Sequence, residues 1–465
     1  MNNPKIGLLP LYVELYDRIS PAKRPKIEAI YAETAKKLRD NGLDVLEVPI
    51  CRLANEFEEA IAYFEQENVD ALVTLHMAYS PSLESEKALA NTNLPLIVLD
   101  TTPAYTYDQY TDSSEAQWNH GIHGVQDMCN LLLRNGKKFV VCAGHLDHSN
   151  VIQKVKNAVK SAQVVAGMKN ARIGLVGGAF AGMGDFQIPF EEMKRDLGFE
   201  TVPFDWELGA EIATSITQQD IDAEYERDQE RFVIDPALPR SVYDNSTKAS
   251  LVIRKWVEQE QLTGFTINFL AVDGVKGGLT TMPFNECCSA MEKGIGYAGE
   301  GDVLTAAFVS ALMHAFEEVT FTEMFCPDWE HGSVYMSHMG EYNYGIADGK
   351  PVLYERPFPF SGAGNSIAAF KTMKGGRAVL LNLAPFGNGQ FTITLVPGQM
   401  LDIEGENTHS RTTNGWFKPD APLEDFLEIY SQNGATHHSV LVYGDILEQV
   451  KPLATFLGCK CVVIN

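Results

Sequence analysis

A chain of 465 residues, 45% hydrophobic and 21% charged, is long enough to bury sizeable cores in two or three domains of about 150 residues each. That excludes a disulfide-held mini-protein and wholesale disorder. Lys and Arg number 37 against 61 Asp and Glu, a net charge of -24 that repels phosphate backbones and anionic lipid surfaces, and no run approaches the roughly 18 apolar residues of a membrane span. Neither nucleic acid nor membrane is expected as a partner.

The apolar run from Ile6 to Val13 is interrupted by Pro10 and closed by Glu14 and Asp17. With no small-residue cleavage pattern behind it, it reads as a first strand, not a leader. An amphipathic stretch follows, carrying Ile27, Ile30, Tyr31, Thr34 and Leu38, with Asn41 and Gly42 where a helix C-cap belongs. LDVLEVP is the next strand. The rhythm continues with a helix near residues 56–66 and strands at 71–75, 94–100 and 139–144. Strands alternating with helices predict a parallel, doubly wound sheet.

The pattern restarts at ARIGLVGGAFAGMGD, where a strand ends near Gly177 and a helix follows through Phe190, Met193 and Leu197. Beyond about residue 320, short alternating runs such as AVLLNLA (378–384) and FTITLVP (391–397) replace the helices, which predicts antiparallel strands and a small barrel. The expected fold is therefore α/β: two doubly wound parallel-sheet domains of the Rossmann or flavodoxin-like kind, 1–168 and 169–320, and a C-terminal antiparallel β-barrel-like domain, 321–465. Eight cysteines with no CxxC pair and no dense spacing imply reduced thiols and a cytoplasmic protein.

Several short segments carry chemistry. The loop GGAFAGMGD (177–185) follows a strand and can present backbone N–H groups to an anion, but it has no GxGxxG spacing; it is a structural turn or one wall of a pocket. In GYAGEGD (296–302), Glu300 lies between glycines, which admit a ligand or metal close to the backbone, and Asp302 is placed to cap the helical run that follows. Glu323 sits among apolar neighbours in FTEMF, so its carboxylate is either paired or badly solvated. His338 lies between methionines in YMSHMGEY, and His437 and His438 adjoin in ATHHSV. On a strand the last two would face opposite ways, so only one of them is expected to bind metal. Two glutamates with one or two histidines suit a hard divalent ion such as Mn²⁺ or Mg²⁺.

GYAGEGD with its TAA helix, the FTE segment, SHM with Glu341 two residues on, and GATHHSV, in this order, resemble the L-arabinose isomerase family within the L-fucose/L-arabinose isomerase group. HGVQD (123–127), VVCAGH (140–145) and LHMAYSP (75–81) extend the resemblance into the N-terminal half. It implies a metal-dependent aldose–ketose isomerase with two α/β domains and a β-rich C-terminal domain, acting on L-arabinose or a related sugar through a cis-enediol. The implied ligands of Mn²⁺, with Mg²⁺ or Co²⁺ as substitutes, are Glu300, Glu323, His338 and His438, the two glutamates doubling as the acid/base pair. His123, His437, Tyr79 and Met183 are the implied sugar contacts. His123, or His120 in its place, would reach the sugar of a neighbouring subunit in a homotrimer or homohexamer. This chain departs from the family pattern where PLYVELYD lacks a glutamine-histidine pair, where Tyr79 replaces a phenylalanine, and where YNYGIADGK follows SHMGE. A sugar-binding or regulatory protein on the same scaffold and a metal-dependent epimerase are the competing readings.

Overall fold

The computed structural model describes residues 3–465. The chain divides into two compact units, one of residues up to Ala166 together with Glu448–Gly458, the other of Gly167–Leu447 with Cys459–Asn465.

In the first unit β1 (Lys5–Leu11), β2 (Asp44–Glu47), β3 (Ala71–His76), β4 (Leu96–Asp100) and β5 (Phe139–Ala143) form a sheet in the order β2-β1-β3-β4-β5, every neighbour parallel. This is the doubly wound order of flavodoxin-like folds. Helices cover both faces, which is why ALVTLH is buried along its whole length instead of alternating. On one face Ile27, Tyr31, Leu38, Val155 and Val159 cluster with Ile6, Leu8 and Val73. On the other Phe57, Phe64, Leu89, Met128 and Leu132 cluster with Leu9, Leu72 and Val98.

The second unit opens with β6 (Arg172–Val176), β7 (Glu200–Pro203), β8 (Val233–Ile234), β9 (Gly264–Ile267) and β10 (Gly296–Gly299). Four of these make a parallel sheet in the order β10-β9-β6-β7. The helix Val303–Ala315, VLTAAFVSALMHA, is apolar nearly all round and accordingly buried on nearly every side. Its start is fixed by the Asp302 carboxylate, which accepts a 2.9 Å hydrogen bond from the Thr305 amide.

The remaining strands are β11 (Val319–Asp328), β12 (Ser333–Ser337), β13 (Val352–Arg356), β14 (Ser366–Phe370), β15 (Gly376–Gly387), β16 (Gln390–Met400), β17 (Gly415–Pro419), β18 (His438–Tyr443) and β19 (Lys460–Val463). β13 and β14 join β8 in a small sheet. The others run β15-β18-β11-β12-β17-β16, and the β15–β16 pairing closes them into a six-stranded antiparallel barrel, with β19 added in parallel to Thr392–Leu395 of β16. The alternating texture after residue 320 thus corresponds to a closed barrel, as expected.

Barrel register does the first part of building the site. Glu323 on β11 is directly opposite His438 of β18 on one side and Ser337 of β12 on the other, and residues directly opposite share a face. His338 follows at once after β12 ends.

Candidate active site

Glu300 stands in the turn between β10 and the Val303–Ala315 helix with φ of 64°, a left-handed conformation unusual for a residue bearing a Cβ. Its backbone carbonyl accepts a 2.9 Å bond from the Phe180 amide in the glycine-rich loop 177–185. A Cβ on Gly301 would stand 2.3 Å from the Gly178 carbonyl oxygen, so the two loops meet where only glycine fits. The glycine before Glu300 is constrained as well: a Cβ on Gly299 would lie 2.6 Å from Cε1 and 3.0 Å from Nε2 of His338.

Around these two loops the second unit gathers three imidazoles, each tied at Nδ1 to its own carboxylate. His338 donates to Glu341 at 2.7 Å, and Glu341 also accepts from the Tyr297 hydroxyl at 2.9 Å. His438 donates to Asp302 at 2.9 Å, the same side chain that caps the helix. His437 donates to Asp185 at 2.6 Å. Pinning Nδ1 in this way fixes the ring and leaves Nε2 to a metal or a substrate. His438 Nε2 and His437 Nε2 come within 3.6 Å and 3.5 Å of Glu300 Oε2, and His338 Nε2 is 4.0 Å from Glu323 Oε2. Phe186 stacks on His438 with ring centroids 5.4 Å apart, and Phe321 meets His338 and His438 edge-on. The apolar rings exclude water from the inner side of the cluster.

Two overlapping donor groups result, Glu300 with His437 and His438, and Glu323 with His338 and His438, each with ligand atoms within 4.8 Å of one another. Glu300 Oε2, His437 Nε2 and His438 Nε2 are buried without a hydrogen-bond partner, a costly state for polar atoms unless something between them supplies the missing bonds. Donors around one octahedral ion with bonds of about 2.1 Å stand about 3.0 Å apart when adjacent and about 4.2 Å when opposite; the separations of 3.5 to 4.0 Å fall between. The donor set of carboxylate oxygen and imidazole nitrogen, without thiolate, fits a divalent ion of the hard to borderline kind.

Two carboxylates of the cluster, Glu300 and Asp185, are held ionised by the imidazoles beside them. Burial by itself would raise the Glu300 carboxyl; the His437 contact and the charges of His338 and His438 outweigh it and hold it below the usual range. Asp185 is likewise brought down to about 2, because its hydrogen bond with His437 overcomes its partial burial. His437 goes the other way: burial would lower it, but Asp185 and Glu300 together raise it to about 10. In His338 the Glu341 carboxylate overrides complete burial and raises the imidazole.

Of the residues expected at the site, Glu300, Glu323, His338, His437 and His438 converge. The opposite-face reading of 437 and 438 needs correction: β18 begins only at His438, so His437 lies in the preceding turn and both rings face Glu300, their centroids 4.2 Å apart. Met183 is half-buried in the same loop as Asp185, two residues earlier. Tyr79 and His123 belong to the first unit, where Tyr79 follows β3, and His123 is exposed on the helix Gly121–Arg134, its ring edge-on to His120. Asp185 was readable only as part of a glycine-rich loop, since nothing local ties it to a histidine 252 residues away. Asp302 was legible as a cap and not as a histidine partner. Glu341 carried a usable signal, a carboxylate three residues after a histidine.

Two parallel sheets and a closed barrel carry a cluster of two glutamates and three carboxylate-anchored histidines, and by its relatives this framework is that of an aldose–ketose isomerase. The L-arabinose isomerase central domain matches residues 192–317, and the L-arabinose isomerase C-terminal domain matches residues 318–460. The L-arabinose isomerase of Bacillus subtilis (strain 168) is 24% identical over 86% of this chain and 82% of its own length. Those of Shouchella clausii (strain KSM-K16) and Geobacillus kaustophilus (strain HTA426) are each 22% identical, over 99% and 86% of this chain and 93% and 82% of theirs. The chain belongs to the L-arabinose isomerase family. Among the described residues no helix is long and apolar enough to cross a membrane.

Proposed function

We propose that the protein interconverts L-arabinose, or a related aldose, with its ketose in a divalent-metal-dependent reaction, with Mn²⁺ as the metal and Mg²⁺ or Co²⁺ as substitutes. Glu300, Glu323, His338 and His438 would hold the ion. The observation that carries this reading is the pair of glutamates on either side of His438, Glu300 near its Nε2 and Glu323 opposite it across the strands. Moving a carbonyl from C1 to C2 requires one proton taken from C2 and one returned to C1, while the hydroxyl proton on O2 passes to O1. Two carboxylates flanking one sugar can serve as base and, once protonated, as acid for a cis-enediol. Bound there, the ion would hold adjacent sugar oxygens and stabilise the developing negative charge as a Lewis acid. Glu300 and Glu323 relay the protons, while His437 offers its Nε2 side to a sugar hydroxyl. Phe186 and Phe321 keep the inner wall dry.

The same reading assigns a sugar contact to Tyr79, Met183 and His123, the last from a neighbouring copy in a trimer or hexamer, and a cytoplasmic location. The test is ketose formation over a panel of aldoses, with the protein stripped by EDTA and then given Mn²⁺. The expected result is activity lost on stripping, regained with Mn²⁺, and abolished by Glu300→Gln or Glu323→Gln. A wild-type protein that binds Mn²⁺ and converts no aldose would refute it, as would activity untouched by either substitution. Light scattering of the intact protein, together with His123→Ala, tests the assembly arm.

A further inference from the structure

The glycine-rich loop 177–185 lies outside the donor set, yet it ends at a carboxylate that grips one histidine twice. Asp185 Oδ2 accepts from His437 twice, from its Nδ1–H at 2.6 Å and from its backbone amide at 3.2 Å. The next residue, Phe186, lies against both rings, with centroids 5.7 Å from His437 and 5.4 Å from His438. Asp302 and Glu341 grip their histidines from within the turn and barrel that also carry Glu300 and His338. Asp185 comes instead from the loop after β6, and that loop is docked on the Glu300 turn through the Phe180 bond and the Gly178–Gly301 contact. His437 is also the one member of the trio that precedes its strand, so barrel register does not set its direction.

We infer that Asp185 is the positioning residue for His437: by gripping Nδ1–H and the main-chain amide together, it turns Nε2 toward Glu300 Oε2 and so fixes the hydrogen-bond donor that selects and orients the sugar. Its substrate arm rests on the proposed isomerase reading. The short loop 182–186 would then govern sugar preference without touching the metal ligands' own anchors. Asn at this position still accepts from the amide and from Nδ1–H but carries no charge, whereas Ala removes the grip altogether.

The experiment compares wild type with Asp185→Asn, Asp185→Ala, His437→Gln and the double variant Asp185→Ala/His437→Gln. Anchoring partners of this kind are worth about 10–100-fold. In the aldose assay Asp185→Ala is expected to lose about that much in kcat/KM, chiefly through KM, with Asp185→Asn intermediate. The double variant should be no worse than His437→Gln alone, because a residue acting through another gives no additional loss. Mn²⁺ affinity, measured by titration calorimetry, should stay within about 3-fold of wild type, a readout that a collapsed site would fail. Additive losses in the double variant, or a Mn²⁺ affinity that falls in parallel with activity, would overturn the inference. Independently of any turnover, carbethoxylation mapped by peptide mass spectrometry should find His437 protected in wild type and reactive in Asp185→Ala; equal reactivity in the two also overturns it. If wild type converts no aldose, the isomerase reading fails while this mapping still decides the role of Asp185.

Discussion

Replacing Gly299 with Ala tests the packing that holds the site together, because it adds one methyl group against one identified ring, that of His338. Gly299 has no left-handed φ, so the backbone accepts alanine without strain. The new Cβ would stand 2.6 Å from His338 Cε1, whereas ordinary contact begins at 3.4 Å, so either the ring or the strand must yield by 3.4 − 2.6 = 0.8 Å. The ring is poorly placed to do so: it is 4% exposed, gripped by Glu341 at 2.7 Å and flanked by Phe321. Forcing one carbon into a packed interior costs about 1–3 kcal/mol. Any rotation that relieves the clash also moves Nε2 relative to Glu323. Chemical denaturation should show a stability loss in that range, and titration with Mn²⁺ should show affinity reduced by about 10-fold or more. Gly184→Ala is the control, since its Cβ would meet nothing within 4 Å. A Gly299→Ala protein with wild-type stability and Mn²⁺ affinity would refute the account of why glycine precedes Glu300.

Asp302→Ala removes a helix cap and the His438 anchor together, so it should cost about 1 kcal/mol of stability and about 10–100-fold in Mn²⁺ affinity. Asp302→Asn keeps an acceptor for the Thr305 amide and should lose the affinity while sparing most of the stability; thermal melts and metal titrations separate the two. His76 is buried in the first unit and brought down to about 4 by desolvation, with only a small opposing pull from Asp127. Above about pH 6.5 neither folded nor unfolded chain binds this proton. Between about 6.5 and about 4 only the unfolded chain does, so stability falls by roughly 3 kcal/mol as pH drops, then levels off. Urea midpoints across that window should flatten in His76→Gln, and an unchanged slope would count against the assignment. Arg254 bridges buried Glu286 at 2.5 Å and buried Glu224 at 2.6 Å. Arg254→Ala strands the Glu286 carboxylate in the interior and leaves Glu224 to Arg227 alone, and should destabilise the second unit by about 3–5 kcal/mol, read from its urea unfolding.

What the sequence disclosed about the site was local, and what it hid was long-range. GYAGEGD announced Glu300 because glycines on either side of a carboxylate and a capping Asp can be read in seven consecutive residues, with an apolar run directly after them. Glu323 showed through as a charge with no business among Phe321, Met324 and Phe325. The parallel sheets were legible in strands alternating with helices, and the barrel strands in short alternating apolar runs. A barrel was legible, but not which strands close it, since that depends on β15 pairing at once with its hairpin partner β16 and with the distant β18. The facing of His437 was misjudged because period-2 logic applies only inside a strand, and β18 starts one residue later. The second carboxylate of each histidine pair was hidden for the same reason as barrel closure: Asp185 and Asp302 are brought to His437 and His438 by the fold alone.

The helical segment 448–458 belongs to the first unit although the chain has by then completed the second sheet and nearly all of the barrel. It is tied there by Ser161, whose hydroxyl donates to the Gln449 carbonyl at 2.6 Å, by Lys138 on the Leu457 carbonyl, and by Phe456 against the core face that carries Val155 and Val159. During synthesis, then, the amino-terminal unit receives its last helix only after hundreds of further residues have been made. Strictly vectorial folding, in which the first domain finishes first, leaves the seat of Phe456 open until then.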